Sequence, residues 1–321
     1  MSMEHLLEKE RYEVLAEMAD MYYNQGKTQS EIAQYFGTNR FRVAKLLQDA
    51  RAEQVVEINI HYSNERNKAL EKEMKEAFGL EKALAVNTQY IPYIDSLKQI
   101  GKIGANYLAR LLTPDSVIGL TWGKTIHSVV SQLAAPARNP VTAVQLTGYP
   151  SLGNPAVDPI ELVRMVATSY SGSFHYLMTP IYVSDPKLRR DLLREPAIQT
   201  ALKQTERMDV VLSGIGGRSS LPLFNPAVQP YLTEQDREAA AESIGSLYGY
   251  VLDKSGNVAD IDLNKKVMAA ELDHVLAVPH RLVVACGRHK AEVMQLAMER
   301  GLFNEVLTDA DTAVNILKRK G

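Results

Sequence analysis

Apolar residues recur every three or four positions across residues 9–24, KERYEVLAEMADMYYN, where Val14, Leu15, Met18, Met21 and Tyr22 share one face. That spacing predicts an amphipathic helix, and Gly26 stops it. TQSEIAQYFG follows. Its Thr28 and Glu31 form a capping box, each side chain satisfying an amide near the other, and Ile32, Ala33 and Phe36 make a short apolar face. Gly37 ends this helix and opens a tight turn. Asn39 then caps a third helix, RFRVAKLLQDARAE, with Val43, Leu46 and Leu47 inward. QVVEINIHY next alternates apolar and polar residues, which predicts one or two strands. Residues 63–79, SNERNKALEKEMKEAFG, place Leu70, Met74 and Phe78 four apart in a charged background. They predict a linker helix whose narrow stripe packs on the next domain or pairs with another subunit.

From Lys82 onward the pattern changes. The apolar runs KALAV, SVIGLTW, VTAVQLTG, HYLMTPIYV, DVVLSGIGG, RLVVACG and NEVLTD read as strands. Between them lie helical stretches at about 95–112, 125–135, 158–171, 186–206, 233–243 and 289–300. Such alternation predicts an α/β domain with a mainly parallel, Rossmann-like sheet covered by helices on both faces. The expected organisation is a winged helix-turn-helix over residues 1–62, a linker helix over 63–79 and an α/β domain over 80–321.

Composition narrows the class. The 321 residues are 45% hydrophobic and 23% charged, as in soluble globular proteins. No apolar run approaches a membrane span, and the charged N-terminus lacks a signal-peptide core. Cys286 is the single cysteine, so no internal disulfide is possible, which fits a reducing cytoplasm. A cytoplasmic protein without a membrane partner is expected. The net charge of −2 excludes a protein that coats nucleic acid over its whole surface, but hides any small basic patch.

Such a patch lies on the third helix. Arg40, Arg42, Lys45 and Gln48 point outward, and no acid stands between Thr38 and Gln48. Arginine pairs bidentately with guanine and glutamine with adenine. Thr28, Gln29 and Ser30 begin the preceding helix, where amides can meet a phosphate, and Asn39 opens the reader helix. A three-helix bundle with a solvated basic face would show the same pattern in part. What favours operator DNA is the order of cap, Ala33, Gly37 turn, basic helix and wing. Residues 1–62 carry seven basic and ten acidic residues, a net −3, so binding needs the basic helix focused on a groove and at least two copies acting together.

The α/β domain carries four small polar loops at strand ends, over 122–125, 147–149, 213–217 and 286–290. VIGLTWGKT nearly spells a phosphate-binding loop, but Gly119 is one residue too close to Gly123. Gly123, Lys124 and Thr125 instead make a shorter turn suited to one phosphate. Gly287 and Lys290 repeat the combination of strand, glycine, cation and helix start, and the Gly214–Gly217 loop permits close approach to backbone. Glycines at such turns often serve tightness alone; three loops together point to a small anionic ligand. Catalytic groupings are thin. No HExxH, Cys/His cluster or GxSxG is present, and no metal or cofactor is expected. Asp158, Glu161, Asp253 and Asp273 are candidate acids or bases but equally helix caps or solvated charges, and His127 faces ligand or solvent. Cys286 has a positive loop beside it that would lower its pKa, or is a small buried residue.

The order TQSEIAQYFGTNRFRVAKLLQDA, VIGLTWGKT, AVQLTGYPS, VVLSGIGG, LYGYVLDKSGNV and RLVVACGRHKAEVMQLAMERGLFNEVLTDADTA resembles the SorC family of bacterial transcriptional regulators over nearly the whole chain. The resemblance implies an effector domain similar to sugar-phosphate isomerases and CoA transferases that has lost their catalysis. It further implies a phosphorylated sugar or related metabolite as effector, a homo-oligomer (tetramer or dimer of dimers), and repression of a carbohydrate operon. By position, Gly123, Lys124, Thr125, Gly287 and Lys290 are expected around the phosphate. Thr147, Gly148, Gly214, Gly216 and Ser246 are expected around the rest of the ligand. Three positions depart from the family. Thr147 replaces a lysine of some relatives, so a Schiff base is not expected. Ser246 stands where many have Asp, and Cys286 where Gly is common. The competing readings are an isomerase- or deaminase-like enzyme carrying a DNA-binding arm, and a nucleotide switch using Gly123, Lys124 and Thr125.

Overall fold

The structure is a computed structural model that describes residues 8–56, 65–134, 139–150 and 157–320. The chain divides into two compact units, Met1–Ser63 and Asn64–Gly321.

In the first unit, α1 (Glu8–Tyr23), α2 (Gln29–Tyr35) and α3 (Arg40–Ala52) surround a small core of Met18, Ala19, Met21, Ile32, Ala33, Val43 and Leu47. The Thr28–Glu31 capping box is complete, and Asn39 Oδ1 accepts the Arg42 amide at 3.0 Å. Gly37 takes φ +61, a left-handed conformation that glycine adopts without strain, and so reverses the chain between α2 and α3. The expected strands over 54–62 fall largely outside the described residues. Of them Gln54, Val55 and Val56 are described, in a turn and bend after α3 with Gln54 at φ +58, and Val56 packs against the three-helix core.

The second unit begins with α4 (Lys68–Phe78), which ends at Gly79 in the left-handed conformation. Leu70, Met74 and Phe78 pack into the core of this unit, so the expected linker helix is part of the α/β domain. Its buried Glu71 accepts bonds from Arg66 at 2.5 and 2.6 Å, Lys68 at 3.1 Å and the Ala85 amide at 3.2 Å. Burial pushes this carboxyl up, but those donors outweigh it and hold it below its ordinary value.

Seven strands form one parallel sheet: β1 (Lys82–Val86), β2 (Val117–Leu120), β3 (Thr142–Gln145), β4 (Ser173–His175), β5 (Val210–Ser213), β9 (His280–Val284) and β10 (Glu305–Asp309). Their order is β1-β10-β9-β5-β2-β3-β4. Alternate residues face opposite sides. Leu84, Ile118, Leu120, Val210, Leu212, Leu282 and Leu307 enter one core with α5 (Tyr93–Leu111), α6 (Lys124–Val130) and α7 (Pro159–Ser169). Ala83, Val117, Val211, Val283 and Val306 enter the other, with α4, α13 (Ala291–Glu299) and α14 (Ala310–Lys320). A second sheet, antiparallel, joins β6 (Ile215–Gly217), β7 (Ser243–Leu247) and β8 (Tyr250–Asp253).

Several expectations change. HYLMTPIYV is strand only at its first residue, His175, where β4 ends. Pro180 has no amide to donate, and the segment makes only isolated bridges, Tyr149 to Pro180 and Tyr182 to Val267. The helix expected over 186–206 splits into α8 (Pro186–Leu192) and α9 (Pro196–Thr205), because Pro196 holds Glu195 extended. DVVLSGIGG divides at Gly214 between the two sheets, β5 ending and β6 beginning there. The stretch 233–243 holds α10 (Glu234–Ala239) and a final 3-10 turn. The strands β7 and β8, the helix α14, and the short helices α11 (Asp262–Lys265) and α12 (Leu272–Ala277) had no place among the expected elements.

Candidate functional site

In open parallel sheets, ligands bind beyond the carboxyl ends of the strands. A cavity of about 420 Å³ lies there, off β2 and β5, and the antiparallel sheet closes its other side. Three hydroxyls fix its floor. Thr121 Oγ1 lies 3.0 Å from Ser213 Oγ and accepts the Gly214 amide at 3.2 Å, tying β2 to β5. Thr125 Oγ1 donates to the Val284 carbonyl at 2.8 Å, tying α6 to β9.

Gly123 precedes α6 with φ +130, and its amide donates to the Val157 carbonyl at 3.2 Å. A Cβ there would meet nothing within 4 Å, so backbone conformation, and not space, selects glycine. Lys124 and Thr125 are the first two residues of α6, and their amides have no acceptor within it. Gly245 is required for a different reason. A Cβ there would stand 2.2 Å from the Gly216 carbonyl oxygen, so β6 and β7 could not pair as they do.

The cavity wall contains Gly123, Lys124, Thr125, Gly214, Gly216, Ser246 and Lys290 of the expected ligand residues. Lys124 is exposed, whereas Lys290 is partly buried and burial lowers its pKa. Among the described residues neither lysine has a carboxylate within ion-pair distance, and no Asp or Glu lines the cavity.

Three expected ligand residues, Thr147, Gly148 and Gly287, lie outside this wall. Thr147 is fully buried, with Oγ1 unpartnered and its carbonyl accepting from Gln145 Nε2 at 2.6 Å. It sits one layer behind Gly249, where its Cγ2 would touch a Cβ at 3.5 Å. Gly148 is packed so that a Cβ would lie 2.4 Å from the Pro180 carbonyl oxygen, and its amide donates to Met268. Gly287 spends its amide on Asp309 and Thr312, both at 2.9 Å.

The candidate acids mostly have structural partners. Asp158 caps α7, Glu161 pairs with Arg164 at 2.6 Å, and Asp253 accepts the Ser255 and Asn257 amides. His127 is outside the wall. Of the two readings of Cys286, a lowered thiol and a small buried residue, the second fits the structure. Burial and the nearby Asp309 push its thiol up to about 11, against a smaller opposing effect of Lys290. Sequence reading missed Tyr93, Asn225 and Tyr248, which also line the cavity. The only local sign was the TyrGly pair after β7: Tyr248 at φ +54 and Gly249 at φ +90 turn the chain back into β8.

On the first unit, Arg40, Arg42, Lys45 and Gln48 are all exposed on α3. Among the described residues none of the three cations is held in an ion pair. The Arg40 guanidinium lies 4.9 Å from the centre of the Phe41 ring, which is 73% exposed beside it. Ser30 is exposed and Gln29 partly so, and neither amide has an acceptor within α2. Thr28 is committed to Glu31, whose carboxyl is held below its ordinary value by bonds from the Thr28 hydroxyl and amide.

Among the described residues, no helix is long and apolar enough to cross a membrane, and no three His, Cys, Asp or Glu residues are grouped to hold a metal. Known proteins match this architecture. Residues 62–318 fit the family model described as "Putative sugar-binding domain". The Klebsiella pneumoniae sorbitol operon regulator is 25% identical over 311 residues, covering 95% of this chain and 98% of that protein. The transcriptional regulator LsrR of Escherichia coli O9:H4 (strain HS) is 25% identical over 313 residues, 95% of each. The crystal structure of the full-length Klebsiella pneumoniae sorbitol operon regulator SorC superposes with a TM-score of 0.73 at 26% identity, covering 95% of this chain and 98% of that one. A three-helix N-terminal unit followed by a sugar-binding-type α/β domain defines a sugar-related transcriptional regulator, and these relatives are named as regulators, not enzymes. The chain belongs to the sugar-binding-domain family of SorC regulators.

Proposed function

We propose that the exposed face of α3 reads operator DNA and that a small phosphorylated sugar or related metabolite in the cavity controls that binding. Supporting the second half is one observation: two lysines, Lys124 and Lys290, line a cavity that has no carboxylate among its described wall residues. An unbalanced pair of cations at the end of a sheet favours a doubly charged anion. Gly123, Lys124, Thr125 and Lys290 take the phosphate; Gly214, Gly216 and Ser246 face the remainder. No cofactor enters this reading. The protein acts in the cytoplasm as a homo-oligomer, a tetramer or dimer of dimers, and represses a carbohydrate operon. The effector would favour one of two arrangements of the oligomer and so change DNA affinity through differential binding.

Arg42 tests the first half. Its amide is fixed by the Asn39 cap while its side chain is exposed, so Arg42→Ala leaves α3 intact. Operator affinity, measured by fluorescence anisotropy at fixed salt, should fall by about 1–3 kcal/mol. Unchanged affinity in both Arg42→Ala and Arg40→Ala would remove this helix as the reader.

A further inference from the structure

A cavity selects its ligand through the polar groups it has left over, and here few remain. Thr121 is bonded to Ser213 and Gly214, and Thr125 to the Val284 carbonyl. Ser220 Oγ donates to the Gly217 carbonyl at 3.0 Å, Tyr182 to Gly249 at 2.8 Å and Tyr248 to Leu302 at 3.1 Å. Asn225 Oδ1 accepts the Ala227 amide at 3.0 Å. Beyond the two ammonium groups, the wall side-chain donors without a partner among the described residues are Ser246 Oγ, the Asn225 amide nitrogen, the Tyr93 hydroxyl and the Trp122 indole nitrogen.

A fully hydroxylated sugar must find an acceptor for each buried O–H as well as donors for its oxygens. Carboxylates do this well, since each oxygen accepts more than one bond. None lines this cavity among the described residues, and at position 246 a serine stands opposite Gly216. Much of the remaining wall is apolar: Pro150, Val157, Ile181, Ile215, Val228 and Leu247. Where it rests against these side chains, an unbonded hydroxyl loses its water without replacement, whereas a methylene gains.

We propose that the ligand is a phosphate monoester with an apolar or deoxygenated body, not a fully hydroxylated sugar phosphate. This rests on reading the cavity as a phosphate site and goes further by naming what the phosphate is attached to. Lys124 and Lys290 hold the anion, the apolar wall takes the body, and Ser246, Asn225, Tyr93 and Trp122 suffice for a few oxygens.

The full-length protein is titrated by calorimetry with inorganic phosphate, n-butyl phosphate, glucitol 6-phosphate and n-butanol. Butyl phosphate is expected to bind at least tenfold more tightly than either inorganic phosphate or glucitol 6-phosphate. Glucitol 6-phosphate equal to or tighter than butyl phosphate overturns the proposal but leaves the phosphate site standing. If butanol binds as well as butyl phosphate, or no phosphate compound binds, the phosphate-site reading itself falls and the proposal falls with it.

Discussion

Lys290→Met separates what the lysine does for the ligand from what it does to the fold. Lys290 ends the 3-10 turn Arg288–Lys290 before α13, and its Cγ lies 3.5 Å from where a Cβ on Gly217 would stand. Methionine keeps that packed stem and removes the charge. Burial lowers the lysine's pKa and no carboxylate offsets it, so the folded state disfavours the ammonium. A lysine depressed in this way costs stability while protonated. The cost is fully present below the folded pKa and disappears as pH rises through the ordinary lysine value near ~10.4. Removing the charge relieves that cost, so the ligand-free variant melts higher at pH values below the folded pKa. A phosphate ligand would lose a charge-assisted hydrogen bond of about 1.5–3 kcal/mol, weakening binding by roughly 10- to 150-fold. Differential scanning fluorimetry at pH 7.5 and at pH 10.5, with and without a phosphorylated ligand, reads all three effects. The variant should melt higher than wild type at pH 7.5, the gap should shrink at pH 10.5, and the ligand shift should vanish. A fall of several degrees in the ligand-free melt would mean that the ammonium is stabilised by a partner, and the electrostatic argument would fail.

Two other outcomes follow from the cavity's construction. Gly245→Ala forces a methyl to 2.2 Å from the Gly216 carbonyl and 2.6 Å from Val293 Cγ2, so urea denaturation should show a loss of at least ~2 kcal/mol; a loss below about 0.5 kcal/mol would mean that β6 and β7 separate freely. Cys286, its thiol pushed up to about 11, should alkylate with iodoacetamide far more slowly than a free thiol at pH 8, with the rate climbing towards pH 11. Rapid modification at pH 7 would contradict that environment.

The first unit was legible because its signals are local. Thr28 and Glu31 are three residues apart, Gly37 fixes one turn, and Asn39 bonds Arg42 within the same helix end. The parallel strands were legible as dense apolar runs, since both faces are buried. Failure came where tertiary partners decide. Thr147 follows β3 much as Lys124 follows β2, yet the strap through Pro180 and Met268 covers it and leaves it a layer behind the wall. Tyr93 begins a helix some thirty residues before Lys124 and reaches the cavity only through the packing of α5 on α6. The sign of the Cys286 shift also depended on the fold: nearby cations were visible in the chain, but Asp309, from the adjacent β10, was not. Ser246 belongs to a sheet missing from the expected elements, and was reached through the family resemblance instead.

Trp122 is half-buried where both cores meet, and it forms part of the cavity wall. It is also the chain's single tryptophan. Indole emission from this protein therefore arises from one place, the wall of the candidate effector site, with no second fluorophore of its kind to dilute the signal. Any molecule that enters the cavity displaces water beside that ring and changes its brightness or colour, so the unlabelled protein carries its own optical gauge of occupancy.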